Sequence, residues 1–182
     1  GFSIDASNDV LHAQIGRGRA GEIKKGYSKH LERSLVSWQA AQDLGYQLKL
    51  NTVVCNYNKL DDMSELVAQL RPHRWKVFQA LPIKGENDDV WDELEITSEE
   101  FRAWVARHRH LEPVVESNEL MTGSYCMLDG KLRFYNNVGG EFKRSAPIPE
   151  VGMDRAWSEI ETMFSDDVFE DRGGVWSWEV SK

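Results

Sequence analysis

Two short stretches of this chain carry polar groups where their neighbours are apolar. In Arg74-Trp75-Lys76-Val77-Phe78-Gln79, strand alternation puts Arg74, Lys76 and Phe78 on one face and Trp75 and Val77 on the other. In Tyr46–Val54 the same parity separates Lys49 and Asn51 from Leu48, Leu50, Thr52 and Val54. Charge on a strand of core-type residues is costly to bury unless an anion meets it. If the two stretches are neighbouring strands, Lys49, Asn51, Arg74 and Lys76 line one surface. Such a surface suits a triphosphate, with arginine supplying a planar fork and lysine a point charge. The alternative is that these faces meet solvent or acidic helices.

Other groups are weaker on residue type alone. Gly16-Arg17-Gly18 has the composition of an anion-binding loop and equally that of a surface turn. Arg172-Gly173-Gly174 either offers backbone N–H groups to a phosphate or forms a turn before a tail whose Trp176 and Trp178 pack on the core. Tyr125, beside Ser124 in a predicted hairpin strand, reads as a half-buried packing residue. His108 and His110 read as polar residues at a helix end, and Asp88, Asp89, Asp166, Asp167, Glu170 and Asp171 as solvated loops. The only cysteines, Cys55 and Cys126, are far apart and form no C-x-x-C pair, so no zinc site or disulfide framework is indicated. A reducing, cytoplasmic setting is the default expectation.

The elements that must position these groups alternate in type. Phe2–Asp5, Tyr46–Val54 and Arg74–Leu81 read as strands. Between and after them, a short helix or turn is predicted over Asn8–Ile15 and helices over Tyr27–Leu44 and Asp61–Leu70, and from Thr97, where Glu100 completes a capping box and Phe101, Trp104, Val105 and His108 form the inner face. Gly45 is placed to close the second helix. This alternation predicts an α/β domain with a parallel sheet, open or barrel-like, whose ligands sit at the carboxyl ends of the strands. The last third differs: Ser124–Leu128 and Lys131–Tyr135 flank Asp129-Gly130 as a hairpin, and Val151–Met163 reads as one amphipathic helix.

Composition bounds the function. With 182 residues the chain can bury a sizeable core. Its net charge of -8 argues against a general nucleic-acid binder but not against a small anion held in one cleft. No apolar run is long enough to span a bilayer and no signal peptide opens the chain. Residue 1 runs straight into Phe2-Ser3-Ile4-Asp5-Ala6, a strand-like stretch with nothing before it to pair with, so the chain reads as the continuation of something upstream.

Several segments, in order, resemble the viperin-like radical S-adenosylmethionine nucleotide dehydratases. They are Ile15-Gly16-Arg17-Gly18, Lys49-Leu50-Asn51-Thr52-Val53, Arg74 through Gln79, Gly85-Glu86-Asn87, Glu116-Ser117-Asn118, Ser124-Tyr125, Val151-Gly152 and Arg172-Gly173-Gly174. Each is short, but the ordered set is specific and matches the latter part of that family. The family's C-x-x-x-C-x-x-C motif for an iron–sulfur cluster is missing, and Cys55 and Cys126 lack the close spacing to replace it.

The resemblance implies the C-terminal half of a partial (β/α)6 radical-SAM barrel over residues 1–110, followed by a C-terminal extension over 111–182 with a hairpin, a short helix and a phosphate-closing tail. It implies S-adenosylmethionine and a 4Fe-4S cluster as cofactors, the cluster ligands lying upstream. It implies a nucleoside triphosphate substrate (CTP, UTP or GTP) and an electron donor for the cluster. In such enzymes a 5′-deoxyadenosyl radical takes hydrogen from C4′, water leaves from C3′, and an electron and a proton complete a 3′-deoxy-3′,4′-didehydro nucleotide, an antiviral chain terminator. Residue by residue, Lys49, Arg74 and Lys76 match the triphosphate cations and Asn51 a nucleotide contact. Ser3 and Arg17 match positions that hold S-adenosylmethionine, and Leu81 one that packs on its adenine. Tyr125 matches a catalytic tyrosine beside the sugar, and Gly173, Gly174, Val175 and Trp176 a loop that closes on the phosphates. Animal members of the family carry an N-terminal amphipathic membrane helix, and nothing in this sequence shows one. The other expectation is a non-catalytic nucleotide-binding or partner-binding remnant.

Overall fold

The computed structural model describes residues 1–175 and 177. Strand β1 (Phe2–Ser3) is followed by helices α1 (Asp9–Ile15), α2 (Ala20–Ile23) and α3 (His30–Asp43), then by β2 (Lys49–Val54), α4 (Ser64–Leu70) and β3 (Arg74–Gln79). Next come α5 (Trp91–Leu94), α6 (Ser98–Arg107), β4 (Val114–Glu116) and α7 (Asn118–Met121). The chain ends with β5 (Met127–Leu128), β6 (Phe134–Asn136), β7 (Lys143–Arg144), α8 (Ile148–Val151), α9 (Met153–Ser158) and α10 (Asp166–Asp171). Two compact units result: residues 1–80 with 92–115, and residues 81–91 with 116–182.

The first unit is built on a sheet in the order β1-β2-β3-β4, with β1, β2 and β3 parallel. Its core lies on the face of Phe2, Leu50 and Trp75. There Phe2 packs on Trp38 of α3 at 5.1 Å between ring centroids, and Trp75 packs edge-on against Trp104 of α6 at 5.8 Å. Trp75 Nε1 donates to the Thr52 hydroxyl, which donates in turn to the Ile4 carbonyl, so one buried hydroxyl links the three strands. The predicted inner faces hold: Met63, Leu66, Val67 and Leu70 are buried, as are Phe101 and Trp104 behind the Thr97–Glu100 capping box.

Several boundaries differ from the sequence expectations, each for a tertiary reason. Helix α3 begins at His30 rather than Tyr27, because Asp9 of α1 accepts the Leu31 N–H and the Ser28 hydroxyl accepts that of His30. The strands β1, β2 and β3 are shorter than Phe2–Asp5, Tyr46–Val54 and Arg74–Leu81, so Leu81 lies two residues beyond its strand. His108 lies on the inner face of α6 as its spacing predicts, and is more than a polar residue at a helix end: it is wholly buried against Trp75 and Trp104. Its Nδ1 bonds the Trp104 carbonyl and its Nε2 accepts the Met63 N–H, and burial pushes its pKa down.

The second unit carries an antiparallel sheet, β5-β6-β7, with Met127 opposite Tyr135 and Tyr135 opposite Arg144. The hairpin forms as expected, but its turn runs from Asp129 to Arg133, where the Arg133 guanidinium binds Asp129 and Leu132 takes a positive φ. Lys131 therefore belongs to the turn, and Tyr125 precedes the strand rather than lying in it. The predicted Val151–Met163 helix is broken, since Gly152 at φ 84° separates α8 from α9. The acidic run Asp166–Asp171 is not a loop. It forms α10, with Ser165 accepting the Val168 N–H as its cap.

Candidate functional site

The alternation in β2 is regular: Leu50, Thr52 and Val54 are buried, while Lys49, Asn51 and Val53 are half-buried on the opposite face. Strand register decides what stands beside them. Lys49 pairs with Arg74, and Ser3, Asn51 and Lys76 form one row across three strands. Residues in register on adjacent strands share a face, and neighbouring strands lie about 4.8 Å apart. The structure thus brings together five residues expected at the site: Ser3, Lys49, Asn51, Arg74 and Lys76. Lys76 is only 9% exposed and its ammonium lies 5.5 Å from the Phe78 ring centroid, a cation–π contact. The Asn51 Oδ1 atom is buried and has no hydrogen-bond partner among the described residues. Lys49, Arg74 and Lys76 thus place three cationic side chains in adjacent register positions of one sheet face.

Arg17 follows α1 and is held through Asp5 beside the carboxyl ends of β1 and β2, whereas Lys49 and Arg74 open β2 and β3 at their amino ends. Gly16, at φ 85°, ends that helix in the left-handed conformation, and Arg17 follows it. Gly18 lies close to the Ile23 side chain and the Ser28 hydroxyl, so a Cβ there would require Ile23 to shift. Arg17 Nε donates to Asp5 Oδ2 at 2.5 Å, and Asp5 also accepts the Val53 N–H at 2.8 Å. Asp5 is buried, so it ties Arg17 to β2 just beyond Asn51. The turn holding Asp5 is fixed in its turn by buried His12, whose Nε2 accepts the N–H groups of Asp5 and Ala6. Burial and neighbouring His30 lower the His12 pKa, which keeps that nitrogen an acceptor. His30 Nε2 lies 2.8 Å from the Ser3 carbonyl.

The remaining expected residues belong to the second unit. Leu81 is half-buried and its carbonyl accepts the Asn87 amide. Tyr125 is half-buried, its hydroxyl donates to Glu116 Oε2, and its carbonyl accepts from Asn136. Arg172 stacks on the Tyr125 ring at 3.8 Å from the centroid and lies 3.5 Å from Glu116 Oε1. The N–H groups of Gly173 and Gly174 are used to close α10, donating to the Glu170 and Phe169 carbonyls. Val175 is exposed, and Trp176 lies outside the described residues.

Three residues at these places were not singled out from sequence: Asp5, Glu116 and the side chain of Arg172. Asp5 shares strand parity with Ser3, a signal that was available. Glu116 and Arg172 stood inside quoted motifs, but only folding brings them to Tyr125. Among the described residues, no three His, Cys, Asp or Glu side chains form a group able to hold a metal ion. Cys55 and Cys126 belong to different units, so the residues present do not fit an iron–sulfur cluster.

No family model matches this chain. It is 41% identical over 182 residues to a protein of Lacinutrix mariniflava named S-adenosylmethionine-dependent nucleotide dehydratase, covering 99% of this chain and 37% of that protein. A protein of the same name from Flammeovirga pacifica is 37% identical over 180 residues, covering 97% of this chain and 59% of its own length. The S-adenosylmethionine-dependent nucleotide dehydratase RSAD2 of Siniperca chuatsi is 34% identical over 183 residues, covering 97% of this chain and 49% of its own length. The chain thus spans roughly a third to three fifths of the length of these curated relatives.

Proposed function

We propose, from the homology of this chain to the S-adenosylmethionine-dependent nucleotide dehydratases, that it is the nucleotide-holding part of such an enzyme and acts on a ribonucleoside triphosphate. The observation that carries this reading is the register of Lys49, Asn51, Arg74 and Lys76 on one sheet face. Three cations in adjacent positions match three phosphoryl groups in charge, and the planar guanidinium of Arg74 suits two oxygens at once. Asn51, with its buried Oδ1, is an acceptor for a nucleotide hydroxyl or amine.

Ser3 and Arg17 would hold S-adenosylmethionine, and the chemistry of the donors fits. The Arg17 guanidinium is anchored at Nε by Asp5, yet its side chain is 39% exposed, which leaves a cationic edge for a carboxylate. Leu81 would pack on the adenine. When bound, S-adenosylmethionine would supply the hydrogen-abstracting chemistry. The chain's own residues bind and orient the triphosphate, exclude water, and hold a proton at the Tyr125 hydroxyl beside the sugar. Gly173, Gly174 and Val175 would form the phosphate-closing segment; the Trp176 expected with them lies outside the described residues. In fold terms, residues 1–110 would be the second half of a partial (β/α)6 barrel and residues 111–182 its C-terminal extension.

The test uses the full-length protein. Calorimetry with CTP, UTP and GTP, each against its nucleoside, should show binding that depends on the phosphates. Under oxygen-free reducing conditions with S-adenosylmethionine, mass spectrometry should find a nucleotide lighter by one water. Equal affinity for nucleoside and triphosphate would overturn the site, and triphosphate binding with no dehydrated product would overturn the enzyme.

A further inference from the structure

We infer that Glu116 and Arg172 are positioning residues for Tyr125, and that Arg172 ties the orientation of this tyrosine to the helix end that carries the glycine pair. The inference rests on the reading of Tyr125 as the residue beside the sugar. Glu116 has no exposed surface, and it accepts the Tyr125 hydroxyl. The Arg172 side chain is 10% exposed, with one amino group 3.5 Å from Glu116 Oε1 and the other donating to the Ser124 carbonyl at 3.1 Å. Its guanidinium covers the Tyr125 ring. Tyr125 is thus held at its hydroxyl by a carboxylate, at its ring by a cation, and at its carbonyl by Asn136.

Stability alone is a poor reason for this arrangement. A buried arginine–carboxylate pair gives little net stability over apolar groups of the same volume, because both ions must leave water. What it does supply is direction. A tyrosine in irregular backbone, held only by packing, would keep its side-chain torsional freedom, whereas a fixed hydroxyl needs a fixed acceptor. Arg172 is itself placed by the end of α10. Gly173 and Gly174 have φ of 104° and 51°, and a Cβ at Gly174 would come within 2.6 Å of Glu170 Oε2. Arg172 caps α10 and directly precedes the glycine pair, so the cation on Tyr125 and this helix end belong to one continuous segment.

The test uses the full-length protein with Arg172→Met, which keeps the length of the stem, and Arg172→Lys, which keeps the charge. Hydrogen exchange at the amides of residues 124–127 should be about tenfold faster in Arg172→Met, with Arg172→Lys intermediate. Turnover at saturating triphosphate should fall about tenfold to a hundredfold, with triphosphate affinity changed less than about twofold. In a Tyr125→Phe background, Arg172→Met should cost nothing further. Unchanged exchange in both variants, a loss that adds to that of Tyr125→Phe, or weakened binding with unchanged turnover would each overturn the proposal. Wild-type turnover in Tyr125→Phe would instead overturn the catalytic reading of Tyr125, and the exchange data alone would then decide whether Arg172 restrains it.

Discussion

The cationic face of the first unit and the tyrosine cluster of the second solve the same problem in opposite ways. On the parallel sheet, Lys49, Asn51, Arg74 and Lys76 are placed by backbone periodicity, and neighbouring strands deliver them to one surface through register. Around Tyr125 there is no periodicity to use. Glu116, Ser124 and Arg172 come from three separated places, and side-chain contacts do the positioning. Regular backbone suits a ligand that is bound mainly by charge, since cations tolerate modest displacement. A hydroxyl that must face one atom needs directional partners on more than one side. The first region should therefore govern affinity and the second turnover.

The sharpest way to break that division is Tyr125→Phe in the complete enzyme. Dehydrated nucleotide should fall about a hundredfold or more, while triphosphate binding changes little, as read by product mass spectrometry and calorimetry. A loss of binding instead would merge the two regions. Next in size, Arg74→Ala or Lys76→Ala should weaken triphosphate binding by roughly 1.5–3 kcal/mol, the range for charge-assisted hydrogen bonds. The variants should remain folded, and unchanged affinity in folded protein would remove the phosphate role from this face.

A smaller effect concerns the scaffolds. His12 and His108, both buried in the first unit, have pKa values lowered from 6.5 by burial. Above pH 6.5 both the folded and unfolded forms are neutral, and this stability is fully present. As pH falls below 6.5 the unfolded chain takes up protons before the folded one, so stability is lost by up to about 1.4 kcal/mol per pH unit for each histidine. Unfolding midpoints measured from pH 7.5 down to pH 5 should decline, and His108→Gln should flatten the decline. A slope unaffected by that substitution would show that other groups carry it. The smallest effect is at the closing segment. Adding a triphosphate should slow hydrogen exchange at Gly173, Gly174 and Val175, and equal exchange with and without ligand would leave the segment as a helix terminus only.

Much of the first region was legible in advance. Alternation in Arg74–Gln79 and Tyr46–Val54 assigned the faces, and the capping box at Thr97 assigned a helix start, because these signals are local. Local signals failed where a partner came from afar. Asp9, more than twenty residues upstream, accepts the Leu31 N–H at the start of α3 and so helps set that start at His30. The Val151–Met163 pattern looked continuous because apolar spacing survives a break, yet Gly152 at φ 84° interrupts it. The acidic run at Asp166 folds as a helix because Ser165 caps it and negative charge suits a helix N-terminus.

What this chain determined by itself was therefore parity and type: which side chains share a strand face, where helices can start, and that no cluster-binding cysteine motif is present. Only the tertiary structure decided adjacency. It set β2 beside β3 in the register that pairs Lys49 with Arg74, anchored Arg17 on buried Asp5, and gathered Glu116 and Arg172 around Tyr125. The physical reason is range. Side-chain periodicity is imposed by the dihedrals of a few consecutive residues, whereas register and ion pairing are set by the packing of groups tens of residues apart.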